Sequence, residues 1–454
     1  MRKLDLRIVP AICILYLLAF LERTNISNAN VYGMGKDLKL KGNQYNTALT
    51  VFFVPYILFE VPSNILLKKF TPHVWLSFCM FIFGIICIAQ GFVKSFGGLV
   101  ATRFIMGAAE SGAFPGCFYL LAMFYRREEA QKRYSFFFSS TCLAGAFGGL
   151  IAAGVSHIDG KLGIAAWSWL FIIEGAVCAF VAIIMFFFIA DFPEDAKFLT
   201  DNERAFLQAK LALDSGDSYH ERKYTIRDVL GCFKDWKIWF GGFMYFGLIV
   251  PAYGYAYFAN AILVSLKYTP LQVQYHSIPP WVVAFALAMI TATISDRIRH
   301  RYLLTLACSL LSSVGFIILL SVHGSVHARY GACFLVAAGT YSAMPLIVCW
   351  TAMNFAGHLR RGVGTGWQVG FGNIGGIIAT FTFLSTDAPY YTKGIAIGLG
   401  FTVFSMASCL TYFLGIHYEN KQKRSGARDA AWNALTPDEQ AKAGDFNPEV
   451  IYQY

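Results

Sequence analysis

The sequence predicts an all-α membrane protein, twelve transmembrane helices in two six-helix bundles. Three observations carry that expectation. The 454 residues are 56% hydrophobic and only 14% charged, whereas a soluble domain carries about 25% charged residues. The apolar residues gather in runs of roughly 20, the length that crosses a bilayer as a helix. A polar stretch, 191–236, divides those runs six and six.

The first bundle, 1–190, holds predicted spans at 8–30, 45–67, 74–92, 99–124, 134–155 and 167–190. The linker, 191–236, contains Thr200 and Glu203 at capping-box spacing. They open a short helix with Phe206, Leu207 and Leu211 on one side, read as lying on the cytoplasmic surface. The second bundle, 237–417, holds spans at 238–261, 271–295, 303–322, 330–354, 366–386 and 394–417, and residues 418–454 form a cytoplasmic tail.

The net charge of +10 reads as topology. Of the 37 lysines and arginines, 27 fall at the amino end, in alternate loops and in the tail. The opposite loops hold 8, and Arg23 and Arg103 lie inside spans. Under the positive-inside rule both termini and the long middle loop are cytoplasmic, and no nucleic-acid partner is implied. The eleven cysteines are scattered without a CxxC pair, which reads as core packing rather than a disulfide framework or metal site. The first span ends in LERTNISNAN without a small-residue cleavage site, so no cleavable signal is expected. There is no HExxH, GxSxG or P-loop. An enzyme is not expected, nor a cofactor, nor a metal.

The chemistry concentrates in span four, RFIMGAAESGAFP from Arg103 to Pro115. Arg103, Gly107 and Glu110 share one helical face about 10 Å long. Ionisable residues at membrane depth are costly, which makes them functional candidates. Gly107 removes a side chain between the two charges and reads as room for a bound group. Span one adds Glu22 and Arg23, which point about 100° apart and so need different partners, and span four offers both signs. In this reading Arg23 and Arg103 receive a solute carboxylate, for which the planar guanidinium fork is suited. Glu22 and Glu110 exchange protons, and a static ion-pair network locking two helices is the alternative. Glu60 and Glu174 read as conformational or capping contacts. Asp296 with Arg297 and Arg301 closes span eight as a gating cluster.

Aligning Pro115 with Pro345 sets Gly107 against Ala337, Arg103 against Cys333 and Glu110 against Thr340. The halves repeat weakly, as parallel transporter repeats do, but only the first carries charges. The second offers Tyr253, Tyr255, Tyr257, Asn260, Trp350, Asn354, Gln368 and Asn373. From this set Tyr253, Tyr257, Trp350, Asn354, Gln368 and Asn373 are expected to line the substrate path, since small-molecule sites join aromatic walls to a few polar groups. Gly145 with Gly149, and Gly366 with Gly370, form small-residue ridges for close helix packing.

These residues resemble the anion:cation symporters of the major facilitator superfamily, in particular the fungal allantoate-permease-like branch. The likeness runs through LERTNISNAN, EVPSNILLKKF, RFIMGAAESGAFPG, WSWLFIIEG, FLTDNER, PPWVVA with ISDRIRHR, and the stretch from YSAMPLIVCW to GGIIAT. It implies a monomeric alternating-access carrier of the fungal plasma membrane that moves a small organic anion together with protons. Nicotinate, pantothenate, biotin, allantoate and short peptides are the family's substrates. By the resemblance, the substrate and proton site falls on Glu22, Arg23, Arg103 and Glu110, with glutamate where the family often has aspartate. The FLP of span seven is here Phe258-Ala259-Asn260, without the helix-breaking proline. A drug–proton exporter is disfavoured because the run Gly145–Gly149 lacks the proline such carriers tend to have. A nutrient sensor is disfavoured because the tail offers no signalling domain.

Overall fold

The computed structural model describes residues 2–125, 127–215, 226–298, 300–355, 358–427, 429–434, 436, 448 and 451–454. Among the described residues the helices before the middle of the chain are α1 (Arg2–Thr24), α2 (Ile26–Val31), α3 (Met34–Asp37), α4 (Gln44–Phe70), α5 (Pro72–Gln90), α6 (Phe96–Glu110), α7 (Ala113–Phe124), α8 (Arg127–Val155) and α9 (Ala166–Phe188). After them come α10 (Asp201–Ser215), α11 (Ile226–Cys232), α12 (Trp236–Ser265), α13 (Pro270–Ile298), α14 (Arg301–Ser321), α15 (Val326–Met353), α16 (His358–Thr382), α17 (Thr392–Arg424) and α18 (Asp429–Asn433).

Among the described residues, eleven helical stretches are long and apolar enough to cross a membrane. In two of them one or two residues interrupt the regular helix, Asn25 in the first and Ser111–Gly112 in the second. Between α6 and α7 the cause is Pro115, which has no N–H to give the Ser111 carbonyl. Between α1 and α2 the turn falls at Asn25, next to Thr24, whose hydroxyl donates back to the Phe20 carbonyl at 2.9 Å. The twelfth membrane helix is α16, packed along α12 and α4. Its glycines, Gln368 and Asn373 make it the least apolar of the set, which suits a helix covered by protein.

Helix starts follow their caps. Ser95 and Ser325 accept from the N–H groups three residues on, at 3.2 and 3.3 Å. The capping box expected at Thr200 and Glu203 forms in both directions, at 2.9 and 3.4 Å. A second one, Thr269 with Gln272, opens α13 at 3.0 and 3.4 Å. In α10, Leu207 and Leu211 are buried as expected, but Phe206 is 72% exposed. It lies one residue before Leu207, about 100° round the helix. Residues 216–225 of the linker, and most of 435–450 in the tail, lie outside the described residues.

The helices form two bundles. In the first, α1 packs on α8, α4 on α6 and α5 on α9; in the second, α12 packs on α16 and α17, and α15 on α13 and α14. The bundles meet along α8 with α13, α4 with α16, and α2 with α12. Glycine decides two of the closest approaches. A Cβ on Gly145 would stand 2.4 Å from the Trp281 ring, so α8 touches α13 there. A Cβ on Gly107 would stand 2.1 Å from the Phe52 carbonyl oxygen. The space beside Gly107 is therefore filled by the backbone of α4, not by a bound group. The ridge expected at Gly366 and Gly370 is open at Gly366 and looks onto the Glu60 carboxylate, 4.0 Å away, at Gly370.

The start of α1, the linker helix α10 and the segment 451–454 share one end of the molecule, here called the N-terminal face. Lys3 pairs with Glu203 at 2.6 Å, Asp5 with Arg133 at 2.8 Å, and the Arg301 N–H donates to the Tyr454 carbonyl at 2.6 Å. On the opposite face the halves touch through polar side chains. Asn260 donates to Asn28 at 2.5 Å, and Asn46 donates to the Thr380 carbonyl at 2.6 Å. Helix α12 runs unbroken through Phe258–Asn260, where the proline is missing.

Candidate functional site

Four charged side chains from α1 and α6 lie in the middle of the first bundle, each at most 1% exposed. Arg23 makes an ion pair with Glu110, with both Nε and Nη2 donating to the carboxylate. Its Nη1 donates to the Tyr253 hydroxyl, across the interface on α12. The guanidinium also lies over the rings of Tyr56 and Phe52, at 4.8 and 5.1 Å. Such a site fits Arg, since the planar cation stacks on aromatic faces while its edge makes hydrogen bonds.

Arg103 is treated differently. Its Nη1 reaches the Arg23 carbonyl at 3.4 Å, but Nε and Nη2 are buried with no hydrogen-bond partner. The face shared by Arg103 and Glu110 does not make them a pair; Glu110 is taken by Arg23. The hydroxyl of Tyr257 lies within electrostatic reach of Arg103, and the Tyr257 ring stacks on Tyr253 at 5.8 Å. Buried guanidinium nitrogens without acceptors cost free energy, and such orphans call for an explanation.

Glu22 points away from Arg23, as the 100° step requires. Both its carboxylate oxygens, and both of Glu174 on α9, are buried without a hydrogen bond. The thiols of Cys87 and Cys178 lie against Glu22 but donate to the carbonyls of Phe171 and Met80, at 3.5 and 3.7 Å. The sequence reading placed Glu174 apart from this group, because nothing local shows that α9 packs beside α1.

Tyr253, the partner of Arg23, also lines a cavity of about 20 Å³, room for about one water. Tyr16, Phe138 and Thr141 line it from the first bundle, and Tyr245, Tyr253 and Tyr341 from the second. The sequence reading missed five of these six. A signal existed for two. Tyr16 precedes Arg23 by seven residues, and Tyr245 precedes Tyr253 by eight, so each shares a helical face with a residue already singled out. Phe138, Thr141 and Tyr341 carry no such mark.

The other residues expected on the substrate path take different places. Gln368 accepts from Thr351 at 2.7 Å and donates to the Gly241 carbonyl at 3.2 Å, joining three helices of the second bundle. Asn373 lies against Glu60 across the α4–α16 contact. Trp350 donates its indole N–H to the Gln453 carbonyl at 2.9 Å, and Asn354 bonds the Gln453 backbone at 2.8 and 3.0 Å. Those two residues hold the segment 451–454, which sequence proximity could not reveal. The gating cluster also differs from expectation. Asp296 faces Lys132 of the first bundle at 3.8 Å, Arg301 is engaged by Gln453 and Tyr454, and Arg297 is exposed. His358, which its place near a span end marks as a solvated or capping residue, has its side chain outside the described residues.

Residues 12–380 match the Major Facilitator Superfamily. An uncharacterized transporter of Schizosaccharomyces pombe is 37% identical over 424 residues, covering 93% of this chain and 84% of that protein. The MFS-type transporter cnsO of Penicillium expansum is 33% identical, covering 99% and 89%. The high-affinity nicotinic acid transporter of Saccharomyces cerevisiae is 31% identical, covering 100% and 84%. Among solved structures, a bacterial homolog of the human lysosomal transporter Spinster, inward-facing and unoccupied, superposes with a TM-score of 0.67 at 14% identity, covering 90% of this chain and 96% of that one.

Proposed function

The chain belongs to the Major Facilitator Superfamily, and on that premise we propose that this multi-pass membrane transporter imports a small organic anion together with protons, as the anion:cation symporters do. The observation that carries the proposal is Arg103. It holds two unpartnered guanidinium nitrogens beside an Arg23–Glu110 pair that Tyr253 of the other bundle completes. A solute carboxylate has the acceptors those nitrogens lack, and it fits the guanidinium bidentately.

Coupling follows from competition. When the solute's carboxylate engages the arginines, Glu110 loses its share of Arg23. A lone carboxylate out of water is costlier than its protonated form, so Glu110 takes a proton as the anion binds. Glu22, also without a partner, is the second proton carrier. The two bundles, 1–190 and 237–417, rock about this site, with 191–236 as their tether. Because residues of both bundles of one chain complete the site, the monomer is the working unit. The N-terminal face, rich in lysine and arginine, is the cytoplasmic one, and the membrane is the fungal plasma membrane. The 31% identical nicotinic acid transporter supports nicotinate as the first solute to test, ahead of pantothenate and allantoate.

The test is uptake of labelled nicotinate, pantothenate, biotin, allantoate and a dipeptide into transporter-deficient yeast at acidic pH, with and without a protonophore. Uptake of one anion that collapses with the protonophore is expected. Uptake indifferent to it would remove Glu22 and Glu110 from coupling. Release of preloaded solute instead of uptake would reverse the direction to export.

A further inference from the structure

The segment 451–454 is bound as a ligand would be. It enters the N-terminal face of the second bundle among the ends of α12, α14, α15 and α17, and its backbone is read by side chains. Asn420 donates to the Tyr452 carbonyl and accepts from the Tyr452 N–H, both at 2.9 Å. Asn354 does the same for Gln453, at 3.0 and 2.8 Å, with the Trp350 indole as a second donor to that carbonyl at 2.9 Å. Two asparagines pairing with two successive peptide units reproduce the bonding of a strand edge, although α15 and α17 are helices. The Tyr452 side chain is 3% exposed. Its hydroxyl accepts from Lys237 at 3.2 Å, and Lys423 lies 4.0 Å over its ring. Tyr454 stacks on His300 with ring centroids 5.6 Å apart.

One contact links this groove to the boundary between the bundles. Arg301 donates through Nη1 to the Gln453 side chain at 2.7 Å and through its backbone N–H to Tyr454. The same guanidinium lies within electrostatic reach of Asp296, and Asp296 faces Lys132 of the first bundle at 3.8 Å. Arg301 and Lys132 are thus alternative cations for one carboxylate, one inside the second bundle and one across the gap.

We propose that the N-terminal face of the second bundle carries a peptide-binding groove whose ligand is residues 451–454 of this chain, and that docking there clamps this face closed. With the segment bound, Gln453 and Tyr454 hold Arg301, and Asp296 is left to Lys132 across the boundary. With it released, Arg301 swings to Asp296, the bridge to Lys132 is lost, and the face opens. The groove takes an extended peptide of the form Tyr-Gln-Tyr, recognised by its backbone and by the cations around its first ring. Nothing in this inference depends on which solute is carried, or on whether protons are.

The test uses purified full-length chain and a chain ending at Val450, the latter checked for folding by size-exclusion chromatography. A fluorescent synthetic peptide of residues 449–454 is expected to bind the shortened chain saturably. The full chain should bind it at least about tenfold more weakly, because its own segment competes. Accessibility is read in parallel with Thr141→Cys, which lines the central cavity, using an impermeant maleimide applied from the N-terminal face. The eleven native cysteines are all buried, so background is low. Truncation should raise the labelling rate about tenfold, the population shift produced by losing one or two hydrogen bonds to charged groups, and the added peptide should lower it again. If the shortened chain does not fold, Asn354→Ala with Asn420→Ala in the full chain carries the same labelling comparison. No peptide binding to a folded shortened chain would overturn the groove. Binding without any change in labelling would overturn the clamp.

Discussion

Arg103 and Gln368 are both polar side chains buried in a helical bundle, one in each half of the molecule, and they are satisfied to very different degrees. Gln368 has its acceptor filled by Thr351 and its donor used by Gly241. Arg103 keeps two nitrogens without a partner, and Glu22 keeps both oxygens so. A buried polar group that is fully bonded contributes to architecture, whereas one left unbonded stores a cost that a ligand or proton can relieve. Arg103 and Glu22 by that criterion support the proposal that solute and protons are handled in the first half. The second half supplies Tyr253 to the Arg23 pair and uses Gln368, Trp350 and Asn354 for its own packing and for the segment 451–454, while Gln274 and Arg329 keep unbonded polar atoms there too.

The comparison can be broken first at a close backbone contact of the first half. Gly107→Val places a side chain 2.1 Å from the Phe52 carbonyl, and loss of folded protein in size-exclusion profiles is expected. Gly366→Ala, with nothing within 4 Å, should leave the profile unchanged. If both were tolerated, the α4–α6 approach at Gly107 would not be a fixed contact. Arg23→Ala comes next. It strands Glu110 in the interior, at a cost of about 3–5 kcal/mol, and a marked fall in Tm is expected; an unchanged Tm would mean that the pair contributes nothing to the fold.

Arg103→Ala separates binding from folding. It should leave Tm close to that of the parent while solute affinity falls at least about a hundredfold, since two hydrogen bonds to a charged group are worth ~1.5–3 kcal/mol each. Unchanged affinity would take Arg103 out of the site. Glu110→Gln sharpens the assignment further, abolishing protonophore-sensitive accumulation while solute exchange across the membrane continues. Accumulation at the parent level would return Glu110 to a purely structural role.

The smallest effect is expected at the surface pair Lys3–Glu203. The Lys3 ammonium, with the Thr200 N–H, holds the Glu203 carboxyl down at about 2. A depressed carboxyl keeps its contact above that value and loses it only as pH falls through it. The pair therefore stays intact over the pH range of uptake, and Lys3→Ala should leave the pH profile of uptake where it was. A shifted profile would move the pH sensitivity from the first half's interior to the linker.

Much of this was legible in the chain because membrane helices obey local rules. Run length and the break at 191–236 gave the spans, and the spacing of Thr200 and Glu203 gave the start of the linker helix. The 100° step between Glu22 and Arg23 gave their separate environments. The differences come mostly from tertiary packing. Gly107 was read as space, yet α4 fills it. Trp350 and Asn354 were read as facing solute, yet residues about a hundred positions later occupy them. Phe206 shares a side of α10 with Leu207 and Leu211 in the sequence pattern, yet it is exposed while they are buried, a difference of one residue of helical phase.

The sequence by itself determined which residues sit at membrane depth and which face of their helix they share, because hydrogen bonding within each helix fixes both. Only the tertiary structure decided the partners. Arg23, Arg103 and Glu110 are chemically free to pair in two ways, and the close approach of α4, α6 and α12 settles the pairing on Arg23 with Glu110. Arg103 is left with donors to spare because helix packing, which no local pattern encodes, brings it no acceptor beyond one carbonyl.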